Sequence, residues 1–105
     1  MAPQDRAEVT LLSPAELAAE LGKRVRRERL RQNLTQRTLA ARAGVSRVTV
    51  TRMEADGTAT LTSFLAVMSA LRRAGDLSEI LEPPPAVTID EFIAASEPTR
   101  KRGRR

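Results

Sequence analysis

The chain has 105 residues and a formal charge of +5; it has no cysteine or histidine, and its only aromatics are Phe64 and Phe92. That length suits one small domain. The missing residue types exclude disulfides, cysteine- or histidine-ligated metals and the commonest general base, and two aromatics argue against a stacking platform for single strands. No cofactor or metal site is expected.

The charge is unevenly placed. Residues 23–52 hold ten bases and one acid, Glu28; residues 76–97 hold six acids and no base; the last six residues hold five bases. Sixteen of the eighteen bases are arginine, which suits forked contact to phosphate or guanine. GC-rich coding would also favour arginine, but it does not explain the placement. No apolar run approaches a membrane span. Asp5, Arg6 and Glu8 interrupt any signal-peptide core, so a cytoplasmic, nucleoid-associated location is expected.

Residues 1–12 lack helical periodicity and are expected to form a flexible arm. Ser13-Pro14-Ala15-Glu16 then starts a helix, with Ser13 as cap, Pro14 at the first position and Glu16 closing a capping box. This helix runs to about Arg31, with Leu17, Leu21 and Val25 as its buried stripe and Lys23, Arg24, Arg26, Arg27 and Arg29 over much of the rest. Asn33 ends it, because asparagine tolerates the left-handed conformation. A helix at about 36–43, capped by Thr35, turns Leu39, Ala40 and Ala43 inward. Gly44 makes the turn, and Ser46 caps a helix over 46–55 with Val50 and Met53 inward. Thr60 caps a helix at about 61–74, with Leu61, Leu65, Met68 and Leu71 as its apolar face, Phe64 beside it and Gly75 stopping it. A helical turn at about 77–82 carries Leu77, Ile80 and Leu81.

Pro83-Pro84-Pro85 is a stiff spacer. Beyond it, Thr88 with Glu91 signals a short helix at 89–96 that needs a surface to dock on, and the tail from Pro98 is expected to be disordered. The only strand signal is a short one at 87–89. The expected organisation is therefore an arm at 1–12, a domain at 13–82, and a C-terminal extension at 83–105 made of spacer, acidic amphipathic segment and basic tail.

Two short helices joined by a tight turn over 35–55 fit a helix-turn-helix, whose second helix enters the DNA major groove. With Ser46 as cap, Arg47, Val48, Thr51 and Arg52 face outward. Arg47 and Arg52 can each fork onto guanine, and Val48 and the Thr51 methyl can meet a thymine methyl. Thr49 can reach a phosphate, and Gln36 can offer its amide to a phosphate or adenine beside the free N–H groups of the helix start. Arg37 and Arg42 read equally well as phosphate contacts or as solvated side chains.

The stretch LGKRVRRERLRQNLTQRTLAARAGVSRVTVTRMEADG, followed by SFLAVMSAL, resembles the xenobiotic-response-element family of helix-turn-helix regulators, to which the Cro and cI-type phage repressors belong. The resemblance covers about residues 17–75 and is most specific at LTQ, LA, AGVS, V, RME and DG. It implies an all-α, compact five-helix, lambda-repressor-like DNA-binding domain, commonly a homodimer on an operator, with family roles falling on Gln36, Arg47, Val48, Thr51 and Arg52. Asn33 stands where the family often has glycine, and Glu28 where many members have an apolar residue. The proline-rich break and Arg-rich end are similar to HipB-type antitoxins, which repress their own operon and bind a kinase-like toxin.

The leading functional expectation is a dimeric repressor on an inverted repeat in double-stranded DNA. The antitoxin reading adds Ile89, Phe92 and Ile93 as residues for a partner protein; alternatively they cover the domain's own core or a dimer seam. A stand-alone repressor and a protein-interaction module without DNA reading remain the other readings. No nucleophile–base pair is visible, so an enzyme is not expected. Residues 100–105 can add phosphate or minor-groove contacts, or remain solvated.

Overall fold

The computed structural model describes residues 6–84. Its order is α1 (Arg6–Thr10), α2 (Pro14–Arg31), α3 (Gln36–Ala43), α4 (Arg47–Asp56), α5 (Leu61–Ala70) and a 3₁₀ helix (Ala74–Glu79), and among the described residues there is no strand. The all-α, helix-turn-helix fold class read from the sequence is therefore the one observed.

Capping chemistry sets most boundaries. Ser13 Oγ accepts from the Glu16 N–H at 3.1 Å, and Glu16 Oε1 accepts from the Ser13 N–H at 2.8 Å, completing the capping box. Thr35, Ser46 and Thr60 each accept from the backbone N–H three residues on, at 3.0 Å. Three helices end in the same paired hydrogen-bond motif around a left-handed residue: Asn33 (φ 60), Gly44 (φ 72) and Arg72 (φ 62). In each, that residue's N–H reaches back three residues and the next N–H reaches back five, as in Asn33 to Leu30 and Leu34 to Arg29.

Packing joins these elements into one core. α2 packs most extensively on α4, while α3 lies against both α4 and α5. Val25, Leu39, Ala40, Val50, Met53, Val67 and Leu71 are buried together, with Leu34, Ala43, Val45, Phe64 and Ala70 packed around them. The approach of α2 to α4 depends on Gly22: a Cβ there would collide with the Met53 carbonyl oxygen.

Several expectations need correction. The arm expected over 1–12 contains a helix, α1, in which Thr10 Oγ1 donates to the Arg6 carbonyl at 2.7 Å. None of its residues is buried, so this helix is held by local bonds and leaves no apolar period to read. Leu21 was expected in the buried stripe of α2 but is 42 % exposed, because Gly22 rather than Leu21 meets α4. α5 stops at Ala70 rather than 74, since Arg72 takes the left-handed turn expected later at Gly75. Its buried residues are Val67 and Leu71, whereas Leu61 and Leu65 are 71 % and 38 % exposed: the helix packs through its Phe64–Val67–Leu71 side. The final turn lies at Ala74–Glu79 rather than 77–82 and is a 3₁₀ helix.

The expected helix at 89–96, the strand signal at 87–89, Ile89, Phe92 and Ile93, and the basic tail at 100–105 lie outside the described residues, as do residues 1–5 of the arm.

Candidate nucleic-acid interface

The turn between α3 and α4 seats one side of α4 on the core and leaves the other side outward. Gly44 takes φ 72 with open space around it, so its requirement is conformational and not steric. Val45 follows it and packs on the core, anchoring the turn. Ser46 then caps α4, its Oγ also lying 2.9 Å from Thr49 Oγ1. The hydroxyls of Ser46 and Thr49 are thus engaged with each other at the helix start.

α4 divides cleanly between two environments. Val50 and Met53 are fully buried, and Glu54 is 7 % exposed. Arg47, Val48, Thr51 and Arg52 face solvent, with Val48 59 % exposed on an otherwise polar, basic surface. The outward set expected from the helical period is therefore brought together on one face. Arg37 and Arg42 of α3 are also exposed, and no ion pair engages Arg37, Arg42, Arg47 or Arg52 among the described residues. Arg52 does stand near Asp56. The Asp56 carboxyl is held below its ordinary value mainly by hydrogen bonds from Thr58, with the Arg52 charge a smaller cause.

Beneath this face runs a polar chain that links three helices. Arg29 of α2 grips Glu54 of α4 with two hydrogen bonds, Nε to Oε2 at 2.7 Å and NH2 to Oε1 at 3.0 Å. Its NH1 donates to the Leu34 carbonyl at 2.7 Å. The hydrogen bond to Glu54 holds the guanidinium pKa above its ordinary value. Glu54 Oε1 also accepts from Gln36 Nε2 at 3.1 Å, and Gln36 Oε1 lies 3.0 Å from Thr51 Oγ1. The Thr51 hydroxyl is equally near the Arg47 carbonyl, so its single proton serves one acceptor at a time. In this nearly dry forked pair, three of the carboxylate's four acceptor sites and three of the guanidinium's five protons are bonded, and such partnering is the condition under which burial of a pair is tolerated.

This chain changes how Gln36 is understood. Its side chain is half-buried, and one amide proton is committed to Glu54. The second amide proton has no hydrogen-bond acceptor among the described residues. Arg29, Thr35, Gln36, Arg37 and Arg47 surround a shallow depression at the start of α3, where two α-helix starts and three guanidinium groups converge. Such a concavity, ringed by donors and positive charge, is complementary to a phosphate.

From the sequence, Arg29 is one of five bases expected over the rest of α2, and Glu54 carries no functional expectation. The signal was present: Arg29 follows the inward Val25 by four residues, and Glu54 follows the inward Val50 by four. Each facing helix thus places one charge of opposite sign on its core side.

The helix-turn-helix family model matches residues 25–77, half of the chain. The chain belongs to the Cro/C1-type helix-turn-helix family of the xenobiotic-response-element class. It is a DNA-binding transcriptional regulator of that type, a class that is generally non-enzymatic. No curated protein matches the chain. Among the described residues, no helix is long and apolar enough to cross a membrane.

Proposed function

We propose that this protein is a sequence-specific repressor that binds an inverted-repeat operator as a homodimer, with α4 of each copy in successive major grooves about 34 Å apart. The observation that carries the reading is the outward face of α4: Arg47, Val48, Thr51 and Arg52 together, over a buried chain that holds the start of α3 in register. Arg47 and Arg52 read guanines, and Val48 with the Thr51 methyl reads thymine. Gln36, Arg37, Ser46 and Thr49 hold the backbone.

Homodimerisation is supported by the outward stripe of α5, where Leu61 and Leu65 remain exposed beside a well-filled core. Replacing Leu61 by Asp leaves the core intact and should yield a monomer in sedimentation, with operator affinity falling at least tenfold. An unchanged dimer removes this surface from the proposal.

Specificity is tested at one residue. Arg52→Ala should cost about 1–3 kcal/mol on the true operator and relax preference at one base pair. Equal losses on operator and random DNA would reduce Arg52 to a phosphate contact.

A second reading, an autoregulating HipB-like antitoxin, is favoured by the acidic, apolar stretch after the proline spacer. Ile89, Phe92 and Ile93 share a helical spacing and can enter a groove of a kinase-like toxin. Their triple replacement by alanine in the full chain should abolish neutralisation of the neighbouring gene product and spare operator binding. Retained neutralisation leaves the stand-alone repressor.

A further inference from the structure

A second depression, a groove of about 530 Å³, lies away from the DNA-facing residues and shares none of its lining with the depression at the start of α3. It runs between α2 and the corner where α5 meets the 3₁₀ helix. Buried Val25 and Leu71 belong to its lining, together with Leu21, Met68, Leu77 and Ile80. Leu21 and Ile80 are 42 % and 59 % exposed, so apolar surface is left open on both walls. A volume of this size lies within the range of pockets that enclose a ligand, ~300–1,000 Å³.

We propose that this groove seats residues 88–96 of the same chain as a short amphipathic helix, with Ile89, Phe92 and Ile93 inserted between α2 and the 3₁₀ corner. This does not rest on the repressor reading, because the groove and its occupant lie outside the DNA face.

Four observations converge on this occupant. The first is position: Ile80 is part of the groove, and Ile89 follows it by nine residues, a reach of at most ~30 Å even when fully extended. The second is spacing. Ile89, Phe92 and Ile93 fall at i, i+3 and i+4, one helical face, behind the capping signal of Thr88 and Glu91. A helix this short is not stable without a surface to dock on.

The third is charge. Residues 86–97 carry Asp90, Glu91 and Glu97 and no base, while the groove's charges are Arg24 and Arg27, together with Glu28 and Asp76, which are both paired with Arg73. Arg24 is engaged by Glu20 at 3.0 Å, whereas Arg27 has no ion pair among the described residues. The acidic side of the segment therefore has an open guanidinium to face. The fourth is molecularity: only eight residues separate Ile80 from Ile89, so docking in the chain's own groove is intramolecular and needs no second copy. A partner protein that takes the same three side chains has to displace them from this seat.

Methionine methyl resonances of the full-length chain test this directly. The chain has three methionines. Met68 lines the groove, while Met53 sits buried in the core and reports whether the fold is intact. Phe92→Ala removes the one ring proposed to enter the groove. It should shift the Met68 methyl and leave the Met53 methyl in place, at every protein concentration. Arg27→Glu, an exposed change on the rim, should move the Met68 methyl in the same direction by a smaller amount. A Met68 methyl indifferent to Phe92→Ala overturns the proposal. So does a response that vanishes on dilution, which would make a second copy the donor of the segment.

Discussion

Glu28 and Arg29 are neighbours on α2, and each anchors an ion-pair cluster, but the two clusters live in different solvents. Arg29 turns inward to Glu54, where both residues are only 7 % exposed and the pair is sealed between helices. The Glu28 side chain is itself only 12 % exposed, but its charged partners stand in solvent: it accepts from Arg31 at 2.6 Å, Gln32 at 2.8 Å and Arg73 at 2.9 Å, Arg73 continues to Asp76 at 2.6 Å, and Arg31, Arg73 and Asp76 are 68 %, 44 % and 51 % exposed. The inner pair aligns α2, α3 and α4, the elements that carry the proposed DNA face. The outer cluster ties the end of α2 to the 3₁₀ corner, with Gln32 also donating to the Leu71 carbonyl at 2.9 Å. Similar distances thus conceal different energetics. Removing one partner of a dry pair strands a charge, whereas water readily replaces a partner at the surface.

The strongest way to break this comparison is Arg29→Ala. With Glu54 left buried and unpaired, stability should fall by about 3–5 kcal/mol, read from denaturant midpoints. A loss below 1 kcal/mol would mean that water reaches Glu54 and that the two clusters are alike. The double change Arg29→Met with Glu54→Leu sharpens the point: stability should hold or rise by about 1–4 kcal/mol. Operator affinity should nonetheless drop, because Gln36 loses its acceptor. Unchanged affinity would show that the inner pair serves stability alone.

A smaller effect is expected at the surface end of the chain of bonds. Thr51→Val removes the hydroxyl shared between Gln36 and the Arg47 carbonyl while keeping the methyl offered to thymine. It should cost about 1 kcal/mol or less of stability, by thermal melting, while preference at the thymine position persists. Loss of that preference would assign the reading to the hydroxyl.

The outer cluster shows itself at Glu28 as a pH dependence. Hydrogen bonds from Arg31 and Gln32 lower its pKa from 4.5 to about 2. A depressed carboxyl contributes stability that is fully present above its unfolded value and is lost as pH falls from about 4.5 towards 2. Glu28→Gln should lower stability at neutral pH, where the carboxylate's contribution is fully present, and flatten the stability profile across that window. An unaltered acid limb in urea titrations would locate the titrating group elsewhere.

How much of this was legible in the sequence follows the same division between local and tertiary forces. Ser13, Thr35, Ser46 and Thr60 act on N–H groups three residues away, so their roles can be read without knowing the fold. The inward set of α4 was equally readable, because Val50 and Met53 keep a clean period. What escaped was decided by partners distant in sequence. Leu21 lost its place in the core to a glycine that meets a carbonyl of α4. Leu61 and Leu65 lost theirs because α5 docks through Phe64, Val67 and Leu71. Arg29 looked like one base among many on α2, and only its match to Glu54, twenty-five residues on, makes it part of the core. The early end of α5 depended on Arg72 accepting φ 62, a conformation that residue type seldom adopts.

The proposed role of the α4 face, set by this buried chain, is to read a specific operator. Its most direct test is titration of the purified protein on its own upstream DNA at two salt concentrations, with random DNA as competitor. The prediction is a footprint on an inverted repeat that survives competition, with affinity falling steeply as salt rises. Binding that random DNA removes equally would contradict the claim and leave only a basic surface.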